Sequence, residues 1–188
     1  MAKDFPALNA HHRDFIGRQH FFFTATAAAG ARINISPRST DLFRVMGDNS
    51  ACYLDRTGSG NETAAHIKAD GRMTIMFCAV DGPPLILRLY GGGRIIPRGG
   101  EEYARLLAEQ FAGTEPLGAR QITWLDFDLV KTSCGYGVPL MDYVGERDTM
   151  DRWAEAKGPQ GIVDYWAEKN MVSQDGLCLL YTSPSPRD

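Results

Sequence analysis

Thr57-Gly58-Ser59-Gly60-Asn61-Glu62-Thr63 runs directly into Ala64-Ala65-His66-Ile67-Lys68-Ala69, so a loop of small and hydroxylated residues feeds a short helix that Gly71 would stop. Glycines let backbone N–H groups approach an anion closely, and the positive end of a helix dipole favours negative charge there. The chemistry this spacing offers is the holding of a phosphate. Loops of this composition also serve as plain turns and caps, and the residues leave both uses open. It is not a triphosphate P-loop, because the Gly-Lys-Ser/Thr ending is missing. Glu62 would repel a dianion unless turned away, although a first-turn carboxylate suits the helix dipole. Arg38, just after Pro37, is the cation placed to reach a phosphate or an electron-rich ring edge. A solvated surface is the commoner fate of an arginine.

No catalytic side chain stands out. A lone helical histidine such as His66 is more often structural than an acid–base group. Cys134 lies in Ser133-Cys-Gly-Tyr-Gly-Val-Pro139, with only Lys131 or Arg147 to activate it. Cys52 and Cys78 sit in apolar, strand-like runs, where free cysteine behaves as a small core hydrophobe. The four cysteines form no CxxC pair, so no metal site is expected. His11 and His12 are adjacent, would point in different directions on a helix, and are expected at the surface.

These residues need a frame. Apolar and β-branched runs predict strands over 20–27, 32–36, 51–55, 73–80, 85–96 and 121–130. Pro37 is expected to end the second of them, since it has no N–H to donate. Gly91-Gly92-Gly93 would let a strand bend sharply, as barrels require at corners. Asn9 can cap a first helix reaching Gln19. Helices are further predicted over 101–111, with Tyr103, Leu106, Leu107 and Phe111 on one face, and over 148–157 and 162–170, on either side of Gly158-Pro159. Trp153, Tyr165 and Trp166 in the last pair need something to pack on. The early strands are too close together for crossover helices. The fold class is therefore mainly β: an antiparallel β-barrel with peripheral helices.

The chain has 188 residues, 44% hydrophobic and 23% charged, with a formal net charge of −3. That length suits one domain, and mild acidity argues against a nucleic-acid binder. No apolar run has membrane-spanning length and no signal peptide is evident, so a cytoplasmic protein is expected. The end of the chain, Cys178-Leu-Leu-Tyr-Thr-Ser-Pro-Ser-Pro-Arg-Asp188, changes character abruptly and matches one reading frame of a transposon-type sequencing adaptor. The expected organisation is a single domain over 1–177, with a helical extension from about residue 140, followed by an unpacked read-through over 178–188. A short Ser/Pro-rich tail is the alternative.

The order of these parts resembles the pyridoxamine 5′-phosphate oxidase-related, flavin-binding split-barrel family, within an uncharacterised bacterial subfamily. The resemblance is carried by Ile33-Asn-Ile-Ser-Pro-Arg38, Tyr53-Leu-Asp-Arg-Thr-Gly-Ser-Gly60, Glu62-Thr-Ala-Ala-His-Ile67, Met76-Phe-Cys-Ala79, Leu87-Arg-Leu-Tyr-Gly91 and Ser133-Cys-Gly-Tyr-Gly-Val-Pro139. It implies a homodimer with flavin mononucleotide (FMN) at the subunit interface. The second strand would run along the isoalloxazine, with Asn34 and Ser36 offering hydrogen bonds and Arg38 the basic group. The phosphate would fall to Asp55, Thr57, Gly58, Ser59 and Thr63. The sequence departs from true pyridoxamine-phosphate oxidases where their loop carries Ser-Arg-Lys; here Asn61-Glu62-Thr63 stands nearest. The Arg-rich substrate clamp of those enzymes is also missing, so vitamin B6 synthesis is not expected.

The resemblance implies an FMN-dependent oxidoreductase acting on an unidentified small molecule, with the redox chemistry carried by the flavin. The alternatives are a non-catalytic flavin- or haem-binding module and a reductase using a deazaflavin.

Overall fold

A computed structural model describes residues 2–179. Eight strands form one antiparallel sheet: β1 Lys3–Phe5, β2 Phe21–Thr26, β3 Asn34–Ser39, β4 Phe43–Val45, β5 Ser50–Arg56, β6 Arg72–Cys78, β7 Ile86–Pro97 and β8 Ala119–Ser133. Their order is β3-β2-β6-β7-β8-β5-β4, with β1 added beside β8. The sheet curls into a half-barrel and carries four helices: α1 Ala10–Gly17, α2 Glu62–Ala69, α3 Glu101–Gln110 and α4 Thr149–Lys169. This is the antiparallel split barrel that the sequence implies.

Curling brings alternate side chains into one interior. Phe22, Phe43, Tyr53 and Phe77 meet at 5.0–5.7 Å between ring centroids, beside Ile75, Leu87 and Leu89. Edge-on and tilted contacts of this kind add to simple burial. On the other side Leu54, Ile96, Tyr103, Leu106 and Ile122 hold α3 against the sheet. The bend in β7 falls where the glycines allow it. The register shifts between Tyr90 and Gly91, and a Cβ at Gly91 would run into the carbonyl oxygen of Asp126.

Several details differ from the sequence reading. The strand expected to stop at Pro37 runs through it to Ser39, with Pro37 opposite Phe23. That strand is at the end of the sheet order, where proline is tolerated. His12 is buried, not at the surface: its ring accepts from the Asn9 N–H while the Asn9 side chain accepts from the His12 N–H, a reciprocal cap. The last two predicted helices form one run interrupted at Gly158, whose φ of 68° only glycine adopts readily. Their aromatics pack together around Ala154 and Ile162. Cys52 and Cys78 are buried and unpaired. Burial pushes the Cys52 thiol up to about 12.

The segment expected to be unpacked begins inside the structure. The chain folds back after Ser173, so Cys178 pairs with Val172 and Leu179 is buried on Ala64 and Ala65 of α2. Residues 180–188 lie outside the described part. Among the described residues no helix is long and apolar enough to cross a membrane, and no His/Cys/Asp/Glu cluster could hold a metal ion.

Candidate functional site

The site starts from one carboxylate. Asp55 falls near the end of β5, where the strand pattern places it inside, and it is 1% exposed. Two arginines meet it there. Arg38 on β3 reaches Oδ1 at 2.5 Å, and Arg120 on β8 reaches Oδ2 at 2.8 Å. Gln121 Nε2 donates to Oδ2 as well, at 2.8 Å. Burial pushes the Asp55 carboxyl up, but the two guanidinium groups and these bonds outweigh burial and hold it below the usual carboxylate range. An isolated buried charge would be strongly disfavoured; pairing and bonding compensate here.

This cluster braces the loop after β5. Arg120 Nη1 donates to the Gly60 carbonyl at 3.1 Å and to Asn170 Oδ1 at 2.7 Å. Asn170 Nδ2 in turn reaches the Gly58 carbonyl at 3.4 Å. Thr57 Oγ1 donates to the Gly118 carbonyl and accepts from Trp166 Nε1, at 2.8 and 2.7 Å. With both bonds made, the Thr57 hydroxyl proton is already committed within the protein. The end of α4 thus grips the loop from behind.

In front of the loop lies a cavity of about 810 Å³. Seven of the eight residues expected from the sequence line it: Asn34, Ser36, Arg38, Thr57, Gly58, Ser59 and Thr63. Asp55 stands behind that wall. Phe22 and Tyr53 add an apolar surface, and Arg38 stacks 4.8 Å from the centroid of the Tyr53 ring. Burial pushes the Tyr53 phenol up, so it stays a protonated donor. Asn34 is fixed by its neighbours. Its Nδ2 donates to Thr26 Oγ1 at 3.2 Å and Thr63 Oγ1 at 3.1 Å, while Ser36 Oγ donates to its Oδ1 at 3.3 Å. Behind Thr26 lies His66, 3.2 Å away and fully buried, which places it outside the cavity wall. Cys134 is exposed and does not line the cavity.

Other lining residues were not foreseen: Asn61, Arg120, Glu146, Arg147 and Lys169 among them. Arg147, on the segment before α4, pairs with no carboxylate among the described residues. The polar pair Arg120-Gln121, at the start of a strand that otherwise alternates, was the signal available in the sequence.

Unpartnered buried atoms concentrate at this cavity. Among the described residues seven buried side-chain N or O atoms lack a hydrogen-bond partner. Four belong to lining residues: Tyr53 Oη, Arg56 Nε, Asn61 Nδ2 and Glu62 Oε2. Such atoms are rare in native interiors and each calls for an explanation.

Residues 8–134 match the family model for pyridoxamine 5′-phosphate oxidase. The pyridoxamine 5′-phosphate oxidase family protein ustO of Aspergillus flavus is 34% identical over 95% of this chain and 78% of its own length. Among solved structures, a histidine-to-alanine variant of HupZ of Group A Streptococcus superposes with a TM-score of 0.55 at 21% identity, covering 66% of this chain and 98% of that one. A Lactobacillus delbrueckii protein assigned as a pyridoxamine 5′-phosphate oxidase gives 0.53 at 16% identity, over 67% and 94% of the two chains. The curated relative is fungal and these two solved structures are bacterial.

Proposed function

Because the chain belongs to the pyridoxamine 5′-phosphate oxidase family, we propose that it is a flavin-dependent oxidoreductase acting on a small molecule, with FMN held in the cavity beside β3 and the 57–63 loop. The observation that carries this reading is the clustering of unpartnered buried atoms there. Three of the four are donors, on Tyr53, Arg56 and Asn61. A ligand rich in oxygen acceptors suits that set, and the ribityl chain and phosphate of FMN are such groups. The volume lies within the range of small-molecule sites, about 300–1,000 Å³.

When bound, the flavin supplies the electron and hydride chemistry. The chain's own residues bind and orient it. Gly58, Ser59 and Thr63, with the start of α2, hold the phosphate. Asn34 and Ser36, locked to each other, offer polar contacts of fixed direction along β3. Arg38 contributes a charge that Asp55 partly neutralises, and Phe22 and Tyr53 exclude water from one side. The loop has no lysine or arginine of its own, which sets the protein apart from the enzymes of vitamin B6 synthesis.

The reading includes a second copy of the chain. Ile33, just before the cavity strand, and Ile35 on it are 72% and 64% exposed. Apolar surface of this kind beside a ligand site is unfavourable in water. A homodimer that covers this face would close the flavin site. We further read residues up to 177 as one domain of a cytoplasmic protein.

One purified sample tests the flavin and the dimer. The expected absorbance is that of a flavin, bleached reversibly by a reductant, from a particle that light scattering measures as a dimer. A Soret band would replace the reading with haem binding, and a flavin-loaded monomer would remove the interface.

A further inference from the structure

The Asn61 side chain is held in one orientation by a chain of bonds whose polarity is unambiguous. It begins at Asp55, a carboxylate between two arginines, which can only accept. Gln121 must therefore turn its amide nitrogen towards Asp55, and Nε2 donates to Asp55 Oδ2 at 2.8 Å. The second hydrogen on that nitrogen goes to Asn61 Oδ1 at 3.0 Å. With Oδ1 occupied, the end of Asn61 left over is Nδ2, a buried donor with no partner. Gln121 Oε1 is left equally alone. Two unsatisfied amide ends in one fully buried pair are costly, about 1–3 kcal/mol per group. The arrangement does not serve the folded protein by itself.

Its position suggests what it serves. Asn61 immediately precedes α2, yet its side chain makes no capping bond to that helix. It lines the cavity next to Gly58, Ser59 and Gly60. Glu62 beside it accepts from the Gln174 N–H through Oε1 at 3.0 Å, while its Oε2 is buried and unpartnered at the same cavity.

We infer that Gln121 is a positioning residue: it fixes Asn61 so that Nδ2 is offered, as a neutral donor, to a phosphate oxygen of the ligand in a loop that lacks its own cation. The inference rests on the flavin reading and deepens it. The loop recognises phosphate through an amide oriented from within the sheet. Selectivity for phosphorylated flavin over unphosphorylated flavin follows.

The test compares FMN with riboflavin, titrated by flavin fluorescence into the full-length apoprotein and two variants. In Gln121→Glu the new carboxyl is protonated against Asp55, because like charges so close cannot both ionise. Its hydroxyl, in the place of Nε2, then donates to Asp55, the same oxygen can only accept from Asn61, and Asn61 turns over. Asn61→Asp keeps the Gln121 bond and presents an acceptor instead of a donor. It alters the cavity wall alone, so it serves if Gln121→Glu fails to fold. Both variants are expected to weaken FMN about ten- to a hundredfold while riboflavin changes less than about twofold. Equal weakening of both flavins, or of neither, overturns the inference and leaves the flavin reading standing. If the unaltered protein binds neither flavin, both fall.

Discussion

Around Phe22 and Phe77 the sheet encloses mostly rings and aliphatic chains, each in contact with several others. Around Asp55, on β5, it encloses Arg120, Gln121 and Asn61 at similar depth, with Arg38 less deeply covered. The first region is closed except where Phe22 and Tyr53 face the cavity. The second is internally paired yet ends in donors that nothing in the chain satisfies. An apolar core gains by excluding water and asks for no ligand. A polar wall so deeply buried gains only if every group is bonded, and the missing partners lie towards the cavity. Stability and binding are thus assigned to adjoining parts of one sheet face, which meet where Arg38 stacks on Tyr53 and pairs with Asp55.

That division can be broken most severely at Asp55. Asp55→Ala leaves Arg120 buried without its carboxylate and facing the half-buried Arg38; a loss of about 3–5 kcal/mol in denaturant melts is expected, together with flavin binding. Acid produces the same effect gradually. The folded-state value for Asp55 lies below the ordinary carboxylate value, so the unfolded chain takes up the proton first as pH falls. The stabilisation is fully present above about pH 4 and drains away as pH drops through the folded value. A melting temperature that is flat across that range would contradict the pairing. A smaller effect sharpens the contrast from the other side. Ile75→Val, in the apolar region, is expected to cost about 0.5–1.5 kcal/mol of stability and leave flavin affinity unchanged. Smallest of all is Ser59→Ala, on the exposed part of the loop. Stability should move by less than about 0.5 kcal/mol. FMN should weaken by less than about tenfold, with riboflavin unaffected, in the same fluorescence titration.

The barrel was legible in the sequence wherever a strand was long enough to show its pattern. The strands β1 and β4 were not, since three residues carry no alternation. Pro37 misled because its missing N–H argues against a strand only where both sides must pair, and the sequence does not say which strand lies at the end of the order. The 57–63 loop was readable because glycines and hydroxyls next to a helix are a local signal. The relay behind it was not. Asp55 and Arg120 are 65 residues apart and meet only through β5–β8 pairing. Arg120 and Gln121 are successive polar residues, which reads as a strand margin; both are buried because the loop and α4 close over them.

The grip of α4 on the loop has a dynamic consequence. Trp166 and Asn170 are bonded to Thr57 and to the Gly58 carbonyl, so the last turns of the helix cannot swing away without releasing the loop. The two therefore open together, as one unit of local unfolding. Whatever binds the loop draws down the population of that open state, and amide exchange slows in proportion to ligand occupancy even in the turns of α4 that do not line the cavity.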